Sequence, residues 1–273
     1  MNLKPTMLLL LMVLLAACSS QAAEPSNPAT PGAARTLTVL AAASLTESFG
    51  ELGKLFEARY PNVKVTFNFA GSQQLAQQLD QGAGADVFAS ASSKNMEMVV
   101  QARRIERTLV RNFTKNRLVV IYPKGGASVL KDLRDLAKPG LKLVLADPAV
   151  PVGQYSLDFL DKALKDPNFG PIFKEDVLKN VVSYEDNVKA VVTKVALDEA
   201  DAGIVYASDV VTGLASRIAK LDIPDALNTV AVYPIAPILD SQNANLAKGF
   251  VDLVLSPDGQ QVMEKYGFGP AGD

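Results

Sequence analysis

The chain has 273 residues, 48% of them hydrophobic and 21% charged, an ordinary globular composition that suits one or two domains. A formal net charge of −2 leaves no broad basic field to recruit nucleic acid or an acidic membrane. Histidine is absent and cysteine occurs once, which excludes a Ser-His-Asp triad, the commonest metal ligand, an internal disulfide and a thiolate zinc site.

Residues 1–17 read as a secretory signal. Lys4 precedes an apolar run over 7–15, too short to span a bilayer, and small residues follow. The ending Leu15-Ala16-Ala17-Cys18 resembles the bacterial lipobox, a resemblance that implies lipidation of Cys18. Residues 18–35 are rich in Ala, Ser, Thr and Pro and are expected to be an anchor and flexible tether. The expected location is therefore extracytoplasmic, on a membrane.

From Thr36 onward, short apolar strands alternate with helical periodicity. Strands are predicted at 37–42, 63–69, 86–89 and 118–122. Helices marked by Leu45, Phe49, Leu52 and Phe56, by Leu75 and Leu79, and by 96–104 lie between them. The second half continues with strands at 141–146, 181–184 and 202–206. Its helices carry Leu157, Leu160 and Leu164, then Val188, Val191, Val192 and Val195. An extended segment at 230–235 and helices at 243–255 and 259–266 close the chain. Such alternation predicts an α/β fold of two lobes, each a mostly parallel sheet flanked by helices. The turn residues at 123–126 and the prolines 234 and 237 suggest the crossings. Lobe 1 is expected to comprise 36–120 plus 237–273, and lobe 2 to comprise 121–236.

Ligands of open α/β sheets sit at the carboxyl ends of strands, where helices begin. Ala41-Ala42-Ala43-Ser44 follows the first strand, and Ser44 to Glu47 has capping-box spacing. Ala70-Gly71-Ser72, Pro151-Val152-Gly153-Gln154 and Asp186-Asn187-Val188 each open a helix. Helix starts built from small neutral residues offer backbone N–H groups at a positive dipole end, which is an anion-binding chemistry. A serine at one helix start is as a rule only a cap, and Tyr206 taken alone reads as a core tyrosine. Asp147, Glu185, Asp186 and Asp209 read as capping or solvated surface. These features leave the ligand undefined.

The same motifs, in order, resemble those of the periplasmic molybdate-binding proteins of ABC importers. The similarity runs through Ala41-Ala42-Ala43-Ser44-Leu45, Phe69-Ala70-Gly71-Ser72 and Gly84-Ala85-Asp86-Val87-Phe88-Ala89-Ser90-Ala91. It continues through Asp147-Pro148, Pro151-Val152-Gly153, Tyr155, Glu185-Asp186-Asn187-Val188 and Gly203-Ile204-Val205-Tyr206-Ala207-Ser208-Asp209, and ends at Tyr266-Gly267-Phe268. It implies a two-crossing hinge with a ligand cleft between the lobes. It implies a monomeric, non-enzymatic receptor that captures molybdate or tungstate and delivers it to a membrane permease. It implies no cofactor and no free metal cation, since the ligand is itself a metal oxyanion. The implied oxyanion site is Ser44 and Ser72 through hydroxyl and backbone N–H, Val152 and Val188 through backbone N–H, and Tyr206 through its phenol. Three departures stand out: the 147–153 loop is short, Val152 replaces a smaller residue, and Asn187 replaces an acidic one. Another oxyanion such as sulfate is the alternative ligand. A serine hydrolase using Ser44 is a remote alternative, lacking both histidine and a G-x-S-x-G elbow.

Overall fold

The computed structural model describes residues 34–125, 130–211 and 213–271. Cys18 and the expected signal segment lie outside them. Both sheets described below belong to one unit, residues 33–273.

The first sheet contains β1 (Arg35–Ala42), β2 (Val63–Ala70), β3 (Val87–Ala89), β4 (Arg111–Asn116) and β10 (Ala231–Pro237), in the order β2-β1-β3-β10-β4. The second contains β5 (Leu118–Pro123), β6 (Leu143–Ala146), β7 (Val181–Glu185), β8 (Ala202–Tyr206) and β9 (Ile218–Asp222), in the order β7-β6-β8-β5-β9. One strand in each runs against the rest: β10 is antiparallel to β3 and β4, and β5 to β8 and β9. These are the two strands that begin just after the chain has changed sheets.

The chain crosses at Arg117, between β4 and β5, and returns over residues 223–230, between β9 and β10. This corrects the boundaries expected at 120/121 and 236/237, and moves the crossings away from 123–126 and from prolines 234 and 237. The physical reason is that β4 reads RNFTKN, with Phe113 as its one large apolar residue, so it carries no strand periodicity and hides the first turn-over. Pro234 is accommodated at a register shift between β10 and β4.

Helices bury one face against each sheet. In α1 (Thr46–Arg59), Phe49, Leu52 and Phe56 recur at helical spacing and are fully buried. Phe49 meets Phe113 and Phe250 with ring centroids 5.7 and 5.8 Å apart, tying α1 to β4 and to α7 (Ala244–Leu255). In the second sheet α4 (Pro151–Ala163) buries Phe159 and Leu160. There α6 (Val188–Ala196) buries Val188, Val191, Val192 and Val195. Helices α2 (Ser72–Asp80) and α3 (Ser93–Gln101) cover the first sheet with Leu75, Leu79, Met96 and Val99. Helices α5 (Phe173–Lys179) and α8 (Pro257–Lys265) complete the layers. Among the described residues, no helix is long and apolar enough to cross a membrane.

Candidate oxyanion site

The strands of each sheet end in helix starts, and these meet in one small cavity. The first sheet supplies Ala42, Ala43 and Ser44 after β1, Ala70, Gly71 and Ser72 after β2, and Ala91 after β3. The second supplies Val150, Pro151 and Val152 at the start of α4, Asn187 and Val188 at the start of α6, and Tyr206 at the end of β8. All five residues singled out in the sequence thus border one space, which residues of both sheets line. It is a small cavity, with room for about 10 Å³, far below the ~300–1,000 Å³ typical of pockets for organic ligands. No lining residue is charged. A larger groove at the crossings, bordered by Lys115, Arg117, Val230 and Phe268, contains none of the five.

Neither serine caps its helix. Ser44 lies in a 3-10 turn (Ala43–Leu45), and α1 starts after Leu45 with no side-chain cap. The capping box expected from Ser44 and Glu47 does not form, because Ser44 Oγ lies 3.0 Å from Tyr233 Oη and Glu47 turns to Lys189 instead. Ser72 is the first residue of α2, and its Oγ accepts the Ala91 N–H at 2.9 Å. Both hydroxyls are buried. The Ser72 oxygen already accepts from the protein, so its own proton is free to point at a ligand.

Val152 and Val188 contribute main chain. Helix α4 begins with Pro151, so Val152 is its second residue, and Val188 is the first of α6. First-turn N–H groups have no partner within their own helix, and there they carry the positive end of the helix dipole. The short 147–150 loop is closed by Asp147: its carbonyl accepts from Val150 N–H and its carboxylate from Ala149 N–H, both at 2.8 Å. Gly153 is required by this closure, since a Cβ there would lie 2.1 Å from the Asp147 carbonyl oxygen. Asn187 caps α6 by accepting the Ala190 N–H at 3.1 Å, so the departure from an acidic residue keeps the cap and removes a negative charge from the wall.

Tyr206 is 1% exposed, and its Oη is a buried polar atom without a hydrogen-bond partner. Burial pushes this phenol well above its ordinary pKa, so it is a neutral O–H donor at any physiological pH. A buried donor left unpaired costs about 1–3 kcal/mol, so its retention at the cavity wall points to a ligand acceptor.

Beneath Tyr206 lies Asp209, which caps the turn after β8 as expected but is fully buried rather than solvated. Its Oδ2 accepts the Tyr206 N–H at 3.1 Å, and its Oδ1 is 3.2 Å from Lys189 Nζ. Burial raises its pKa to about 6, with Lys189 opposing the rise. Lys189 also contacts Glu47 of α1 at 2.8 Å. Lys189, beside the site, is thereby shared between two carboxylates of the protein. Gln73 Nε2 donates to the Asp186 carbonyl at 3.1 Å, and a Cβ on Gly71 would meet that same oxygen at 2.5 Å. These contacts join the two sheets around the cavity. Sequence reading missed Tyr233, which touches Ser44 from behind, and Asn116 and Lys189, which touch Tyr233 and Asp209 in turn; none carries a motif of its own. Asp147, Glu185 and Asp186 do cap, pair with Lys194, or face solvent.

Residues 37–269 match the family described as bacterial extracellular solute-binding protein. The chain belongs to that family. It is 36% identical over 261 residues to the molybdate-binding protein ModA of Mycobacterium tuberculosis, covering 95% of this chain and 94% of the relative. Among solved structures, it shares its fold with the Azotobacter vinelandii periplasmic molybdate-binding protein, at TM-score 0.73 and 19% identity over 85% of this chain and 98% of that one. It shares the fold equally with the sulfate-binding protein SubI of Mycobacterium tuberculosis, at TM-score 0.77 and 15% identity over 86% and 87%. The fold therefore does not choose among oxyanions; the cavity must.

Proposed function

We propose that this solute-binding protein captures molybdate or tungstate outside the cytoplasm and delivers it to the permease of an ABC importer, without catalysing a reaction. The observation that carries this reading is the cavity wall: hydroxyl and backbone N–H donors from both sheets and no charged side chain. A tetrahedral dianion offers four acceptor oxygens to such a wall. Each charge-assisted hydrogen bond contributes about 1.5–3 kcal/mol, so the charge is held without an ion pair. Ser44 and Ser72 act through hydroxyl and N–H, Val152 and Val188 through N–H, and Tyr206 through its phenol. Because donors come from both sheets, the ion favours the form in which the sheets meet around it. The 36% identical relative named as a molybdate-binding protein supports the choice of ion. A monomer anchored through lipid at Cys18 is part of the same reading, supported by the lipobox-like Leu15-Ala16-Ala17-Cys18.

Sulfate is the second reading, favoured by the likeness to SubI. Thermal unfolding separates the two. A ligand of the folded state raises stability by RT ln(1 + [L]/Kd), about 2.7 kcal/mol at one hundred times Kd. Molybdate and tungstate should raise the melting temperature at concentrations where sulfate does not; a rise with sulfate alone would reverse the assignment.

A further inference from the structure

A serine hydroxyl can donate or accept, and a site for a fully ionised oxyanion needs it to donate. For Ser72 the backbone makes that choice, because Ala91 N–H occupies its oxygen. Ser44 has no such backbone partner; its buried neighbour is Tyr233 Oη at 3.0 Å. The direction of that hydrogen bond follows from the group behind it.

Asn116 ends β4, next to the first crossing, and is buried. Its Oδ1 accepts the Arg117 N–H at 3.0 Å, and a main-chain N–H can only donate, so the orientation of the amide is fixed. The Nδ2 group then faces Ser208 Oγ at 2.8 Å and Tyr233 Oη at 3.5 Å, as a donor to both. Tyr206 Oη, the neighbouring phenol, has no hydrogen-bond partner and so does not take the Tyr233 proton. The remaining acceptor for that proton is Ser44 Oγ.

We propose that Tyr233, oriented by Asn116, is a positioning residue that donates to Ser44 and thereby turns the Ser44 proton into the cavity. The inference rests on the oxyanion reading above. With both serine oxygens occupied by protein donors, neither presents a lone pair to the ligand. An oxyanion that keeps a proton, such as monohydrogen phosphate, then finds no acceptor and leaves its O–H unpaired. Tyr233 thus contributes to selectivity without touching the ion, and it does so from the strand that follows the second crossing.

The test is a double-mutant cycle on the full chain, read by titration calorimetry with molybdate and with phosphate. Tyr233→Phe keeps the ring, which packs edge-on against Phe113, Tyr206 and Phe268. It should weaken molybdate binding roughly three- to tenfold and should not weaken phosphate binding, so the preference for molybdate narrows. In a Ser44→Ala background the same change should alter the molybdate Kd less than about twofold, because the group it positions is gone. Tyr233→Phe binding like the wild type, or an equal loss in both backgrounds, would overturn the positioning role alone while the Ser44→Ala loss stands. A Ser44→Ala variant that binds normally would overturn both this role and the site.

Discussion

Lys189 Nζ lies 2.8 Å from Glu47 Oε2, an ion pair that joins α6 of the second sheet to α1 of the first beside the cavity. The same ammonium faces Asp209 Oδ1 at 3.2 Å. It acts as a tie between the sheets, and its charge is already balanced before any anion arrives.

Glu47→Gln should loosen the tie while leaving Lys189 paired with Asp209. Both side chains are partly solvated, so the pair contributes only about 0.2–1 kcal/mol. Molybdate affinity should fall roughly two- to fivefold, and less at high salt, where exposed pairs are screened. Calorimetry at low and high ionic strength reads both effects.

Lys189→Met should show a pH-dependent loss of stability. The buried Asp209 carboxyl sits near 6, above its unfolded value, so the folded chain holds that proton to higher pH than the unfolded one. This group's contribution is fully present below the unfolded value and is lost as pH rises through about 6. Without Lys189 the carboxylate that forms loses the ammonium that faces it. The variant should be close to wild type near pH 5 and lose about 3 kcal/mol by pH 8. Denaturant unfolding across that range provides the curve, and a loss that does not vary with pH would refute the pairing.

Removing single donors should cost the ion more than it costs the fold. Ser72→Ala deletes one hydroxyl and should raise Kd roughly ten- to a hundredfold, with about 1–3 kcal/mol of stability lost because Ala91 N–H is left unpaired. Tyr206→Phe should weaken binding by a similar factor yet raise the melting temperature without anion, since its hydroxyl bonds to no protein group and its burial unpaired is costly. Calorimetry and thermal unfolding, run on the same samples, separate the two effects.

Cys18→Ala should abolish incorporation of labelled fatty acid and release the chain from the membrane fraction. Membrane partitioning equal to the wild type would refute the anchor.

Much of the fold was legible because its strands are continuous apolar runs and its helices carry regular stripes, as in Phe49, Leu52 and Phe56 or in the valine face of α6. The strands that escaped are those whose packing is supplied by others. β4 offers only Phe113 as an apolar residue to the core, and β9 (IAKLD) is an edge strand with two of its five residues exposed. Missing β4 displaced the crossing at Arg117. The five site residues were legible through motif order, since a helix start after a strand is a local pattern. Their supports were not. Tyr233 reaches Ser44 across 189 residues and Lys189 reaches Glu47 across 142, pairings that only the sheet order brings together. Local spacing also misread Ser44 and Glu47 as a capping box, because each finds a partner far along the chain.

The most direct test is titration calorimetry of the chain against molybdate, tungstate, sulfate and phosphate in one buffer at neutral pH. A rigid wall made only of donors should bind molybdate and tungstate comparably. Sulfate, being smaller, should bind at least about tenfold more weakly, and phosphate, which retains a proton, should bind more weakly still. Sulfate binding as tightly as molybdate, or no heat with any of the four ions, would contradict the account.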